Sequence, residues 1–65
     1  MQVTYEAEFE YLVLHQVRSR NVHYYNTKFL SVDFEDSDFS GASFSNCKFK
    51  DCVFNNCNLS GVQFY

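Results

Sequence analysis

TKFLS VDFED SDFSG ASFSN CKFKD CVFNN CNLSG VQFY, residues 27–65, is the stretch that decides the fold. Cut in fives, it places Phe29, Phe34, Phe39, Phe44, Phe49, Phe54, Leu59 and Phe64 in one column. Every phenylalanine of the chain, Phe9 included, shares that phase. Seven further matches at one chance in five arise by accident about once in 80,000 sequences, so the chain carries an internal period. A period of five fits neither the 3.6 of a helix nor the 2 of a flat strand.

Two more columns give the period a physical meaning. Two residues before each bulky position stand Ala7, Leu12, Val17, Val22, Thr27, Val32, Ser37, Ala42, Cys47, Cys52, Cys57 and Val62. Most are small or β-branched. A small and a large residue two apart put both side chains on one face of a short extended segment. In the column two residues after the bulky one, Asn21, Asn26, Asp36, Gly41, Asn46, Asp51, Asn56 and Gly61 fill eight of the twelve places. Asn, Asp and Gly tolerate positive φ, so a bend is expected after every segment.

On these columns the chain resembles the pentapeptide-repeat family, whose usual unit is A-(D/N)-L-x-x. The resemblance implies an all-β chain, a right-handed quadrilateral β-helix of about three coils with four pentapeptides to a coil. Residues 1–65 are read as a single pentapeptide-repeat domain, with the phase strong over 27–65 and weaker over 1–26. There Leu12 is large for its slot, and Thr4 and Ser19 replace the bulky residue. Val3, Tyr5, Ala7, Phe9, Tyr11 and Val13 also alternate at period two, which leaves open a plain starting strand in place of the first coil.

Four units to a coil bring residues twenty apart into a stack. Glu8 is then expected on Lys28, Arg18 on Asp38, His15 on Glu35, Tyr5 on Tyr25, and Phe9 on Phe29 on Phe49. Opposite charges in neighbouring positions suit cross-strand pairing. Lys28 over Lys48 is the one opposed column. Phe49→Ala is expected to cost about 3–5 kcal/mol, as for a buried aromatic.

Composition narrows the function classes. The chain has 65 residues and an aromatic content of 20%, enough for a continuous core in a solenoid, whose coils touch only their neighbours. No apolar stretch is long enough to span a membrane, and no basic start precedes an apolar run, so neither a membrane nor a secretory signal is expected. Cys47, Cys52 and Cys57 follow C-x4-C-x4-C, too wide for the usual zinc pairing, and they occupy the small inward column. They are read as reduced core residues, which points to the cytoplasm. His15 and His23 fall on outward positions beside no nucleophile, and no phosphate loop is present. An enzyme, a cofactor and a metal are not expected.

The remaining signal is acidic. The net charge is −3, and Asp33, Glu35, Asp36 and Asp38 crowd one stretch, with Glu6, Glu8 and Glu10 a second group. A rigid array of carboxylates can occupy a channel built for phosphates. The family includes DNA mimics that protect DNA gyrase, and small acidic proteins of phages and mobile elements include anti-CRISPR inhibitors. The expected function is therefore a DNA-mimic inhibitor of a basic nucleic-acid-binding protein, such as a CRISPR effector, with no direct nucleic-acid contact of its own. Topoisomerase protection is the alternative, as is a protein-binding module without mimicry, similar to the pentapeptide stretch of lumenal receptor-like proteins. The expected partner surface is Asp33, Glu35, Asp36 and Asp38, with Glu6, Glu8, Glu10, Tyr5 and Tyr25 as a second one. The apolar end at Val62, Phe64 and Tyr65 suggests an end-to-end homodimer.

Overall fold

The computed structural model describes residues 3–65, with side chains from Glu6 onward. Eight strands follow in order: β1 Val3–Tyr5, β2 Glu8–His15, β3 His23–Tyr25, β4 Lys28–Glu35, β5 Ser43–Ser45, β6 Lys48–Lys50, β7 Val53–Asn55 and β8 Gln63–Phe64. There is no helix among the described residues. Every strand pair is parallel and every register is twenty, from Val3↔His23 to Phe44↔Phe64. The first coil therefore keeps the repeat geometry rather than forming a plain strand.

Four faces result. Face one stacks β1, β3, β5 and β8. Face two stacks the first half of β2, the first half of β4, and β6. Face three stacks the second halves of β2 and β4 under β7. Face four is held by the bridges Arg18↔Asp38 and Asp38↔Asn58.

The corners show why the period is five. All twelve residues of the third column, from Glu6 (φ 51) to Gly61 (φ 70), sit at positive φ. Each turns the chain onto the next face. Tyr11 (φ 53) and Ser31 (φ 54) bend β2 and β4 in the same way, so each eight-residue strand covers two faces. Neighbouring corners also bond to each other: Asn46 Nδ2 donates to Asn26 Oδ1 and Asn56 Nδ2 to Asp36 Oδ1, both at 2.7 Å.

The two inward columns form the core. Phe9, Phe29 and Phe49 stack at 5.4 and 4.8 Å, Phe34 and Phe54 at 4.7 Å, and Tyr24, Phe44 and Phe64 at 4.9 and 5.4 Å. Rings on adjacent faces meet edge to face, as Phe34 and Phe39 do at 5.2 Å. Each such pair contributes about 0.5–1.5 kcal/mol beyond its burial. The buried apolar cluster, Phe29, Val32, Phe34, Phe39, Ala42 and Phe44, lies in the middle of the stack. Phe49 is half-buried, so the full cost expected for its truncation belongs to Phe34 instead.

Small polar residues in the inner column are satisfied locally. Thr27 Oγ1 donates to Tyr25 O at 3.1 Å and Ser37 Oγ to Glu35 O at 2.9 Å. The cysteines repeat this pattern: Cys47 Sγ donates to Ser45 O at 3.5 Å, Cys52 Sγ to Lys50 O at 3.4 Å and Cys57 Sγ to Asn55 O at 3.3 Å. The thiols are free and half-buried, and they substitute for the hydroxyls in this slot. Ser19, which breaks the bulky column, is buried and bonds the Tyr24 hydroxyl.

Candidate functional site

Strands carry their inward residues two apart, so the residues between and beside them project outward. This places the carboxylates on the outside of the second coil. Asp33 and Glu35 lie on face three, Asp36 at the corner and Asp38 on face four. The four form one continuous acidic edge. Asp36 is exposed and the other three are half-exposed.

The edge is held in place by polar contacts. Asp38 Oδ1 accepts the Ser40 amide at 2.9 Å and the Ser40 hydroxyl at 2.6 Å. The Ser40 hydroxyl and then its amide hold the Asp38 carboxyl below the usual aspartate range, and the Arg20 guanidinium adds to the effect. A lowered carboxyl pKa means the charge persists further into acid, and the stability linked to it is lost only as pH falls through that lowered value. Asp36 Oδ1 is fixed by Asn56. His15 Nδ1 lies 3.6 Å from Glu35 and 3.7 Å from Asp36.

The second acidic group is separate from this edge. Glu6 is a corner residue, and Glu8 and Glu10 lie on face two in the first coil. Glu8 stands in register with Lys28, and Lys28 with Lys48, while Glu10 shares its column with Leu30 and Lys50. Face two therefore runs from acidic to basic along the solenoid. Among the described residues the only basic side chain within 4.0 Å of a carboxylate is the His15 imidazole, so neither Glu8–Lys28 nor Arg18–Asp38 closes to that distance despite its register. Tyr25 is half-buried on face one, and Tyr5 pairs with it through the backbone, its side chain lying outside the described residues. Thus the acidic run is brought together, and the second group is not joined to it.

Sequence reading missed three neighbours of the acidic edge. Val13 and Val53 flank Asp33 in the outward column of face three, and both are exposed. Tyr11 projects from the adjacent corner at 82% exposure. Its signal was visible: it stands in a column otherwise rich in Asn, Asp and Gly. On face four a shallow hollow is lined by Gln16, Val17, Arg18, Arg20, Asp36 and Asp38, so cations border the carboxylates. His23 is tied to Ser43 by its Nδ1 and touches none of this. Among the described residues no three His, Cys, Asp or Glu side chains gather as metal ligands.

The comparison with known proteins agrees with this geometry. No curated protein matches the chain. The family model described as pentapeptide repeats matches residues 27–64 in eight copies, well over half of the sequence. With the fivefold columns, the left-handed corners and the twentyfold register, that match establishes that the chain belongs to the pentapeptide-repeat family.

Proposed function

We propose that the chain is a binding module that occupies a basic, nucleic-acid-binding surface of a partner protein and excludes nucleic acid from it. The observation that carries this reading is the acidic edge of Asp33, Glu35, Asp36 and Asp38, set on adjacent faces of one rigid coil. Parallel β-stacking and the bonds from Ser40 and Asn56 position these groups before any partner arrives. Preorganised charge avoids part of the ordering cost of binding. Complementary charge also speeds encounter with a basic surface. Arg18 and Arg20 beside the edge temper the field, and Tyr11, Val13 and Val53 add apolar contact, so the surface suits a protein groove better than it copies a bare phosphate chain. No catalytic role is assigned.

Two probes test this: DNA gyrase and, in parallel, a CRISPR effector complex, each bound to a fluorescent DNA duplex. The wild type is expected to displace DNA from one of them, less effectively as salt rises. Asp33→Asn, Glu35→Gln, Asp36→Asn and Asp38→Asn combined should keep the far-UV circular dichroism and lose displacement. A folded fourfold variant that competes as well as the wild type, or a wild type that displaces DNA from neither probe, overturns the proposal.

A further inference from the structure

We propose that face two is a self-association surface, through which two copies of the chain pair side by side with their solenoid axes antiparallel. Face two presents two outward columns. Glu8, Lys28 and Lys48 stand in register in one, and Glu10, Leu30 and Lys50 in the other. The first level is therefore acidic, the third is basic, and the middle level holds the one aliphatic residue of the two columns. The five charged side chains are exposed, and Leu30 is half-buried. Among the described residues none of these lysines has a carboxylate within 4.0 Å. Lys28 over Lys48 sets like charges in register, which costs the single chain and brings it no contact in return.

A second copy of the same face supplies the missing counter-charges. Let a twofold axis run along the strands of face two, level with Leu30. The first level of one copy then lies on the third level of the other. Glu8 faces Lys48 and Glu10 faces Lys50, and the symmetry repeats both pairs. Four unlike pairs thus surround a contact of Leu30 with Leu30. Such a contact is isologous and closes at two copies. An apolar centre with a charged rim is also how protein interfaces are commonly arranged. One opposition remains, Lys28 against Lys28 on the axis. It is offset by Glu8 of each copy, one strand spacing away at about 4.8 Å.

The other twofold arrangements of the charged faces repel. With the solenoid axes parallel, face two would set Glu8 against Glu10 and Lys48 against Lys50. Face three would set Asp33 and Glu35 against carboxylates in either orientation. Face four would set Asp38 against Asp38, or Arg18 against Arg20. The contact is lateral and uses neither rim of the stack. It leaves faces three and four uncovered, so the dimer carries two acidic edges related by the twofold. A partner with two basic sites could then be held at both. Three strands of one face are small beside the about 800 Å² per partner of a standard stable interface. The dimer is accordingly weak and forms at high concentration.

Sedimentation equilibrium of the purified chain at low salt, up to about 1 mM, tests the proposal. The mean mass should rise with concentration to a plateau at two copies, and the dimer should dissociate as salt is raised. Glu8→Lys with Glu10→Lys, and Lys48→Glu with Lys50→Glu, should each lower the association constant about tenfold or more. Mixed one to one, these two variants have unlike charges at all four places again and should form a heterodimer of wild-type strength. Each should keep the wild-type circular dichroism. If one does not, Glu8→Gln with Glu10→Gln, or Lys48→Gln with Lys50→Gln, takes its place and should weaken the dimer in the same direction. A wild type still monomeric at the highest concentration, a mass that grows past two copies, or a dimer indifferent to salt overturns the proposal. So does a double variant that dimerises alone as well as the wild type, or a mixture of the two reversed variants that stays monomeric.

Discussion

Tyr11 holds φ 53 with an exposed aromatic side chain, at a corner where the sequence elsewhere prefers Asn, Asp or Gly. Left-handed backbone costs an L-residue about 1–2 kcal/mol, and Asn bears it more easily. Tyr11→Asn should therefore stabilise the fold by about 1 kcal/mol, read from urea unfolding. Gly41 presents the opposite case. At φ 70, an added Cβ would also lie 2.1 Å from Asn21 Oδ1, forcing that side chain to move. At Gly61, also φ 70, the nearest atoms are 3.7 Å away. Gly41→Ala should cost about 1–2 kcal/mol or more, and more than Gly61→Ala, by the same measurement. The corners were legible from eight turn-forming residues in one column. That Glu6, Tyr11, Gln16 and Ser31 adopt the same conformation was not, because their own preferences oppose it and only the stacked neighbours impose it.

Strands here are too short to stand alone, and their stability comes from what they stack on. β4 has a coil on either side, and its Phe34 is 1% exposed. β6 and β8 have one neighbour each, and their Phe49 is only half-buried and their Phe64 exposed. Phe34→Ala should cost about 3–5 kcal/mol, while Phe64→Ala should cost well under half of that, in paired unfolding curves. Inward and outward positions were readable from the alternation of bulky and small residues. The degree of burial was not, since the same column position is enclosed in the second coil and open in the third. The acidic edge was readable as a run of carboxylates. Its supports were not: Ser40 on Asp38 is local, but His15 against Glu35 and Asp36 and Asn56 on Asp36 need coils twenty residues apart to meet.

At the scale of the molecule, 23 × 22 × 16 Å, the core is a column whose middle is dry and whose ends are open. Protection from hydrogen exchange should follow that profile. Amides of β4 and β5 should exchange most slowly, and those of β2, β6 and β8 faster, as ends open without the centre. Equal protection along the chain would mean that the coils unfold as one unit.

The uniform register of twenty restricts how this chain could change length over generations. Inserting or deleting one residue at a corner would carry every downstream phenylalanine out of its column, and the damage would spread to all later levels. Duplicating a block of twenty, such as 23–42, would instead return each side chain to its own face and add one more identical storey. Length is thus quantised, and tandem duplication is the mutation this architecture absorbs most readily.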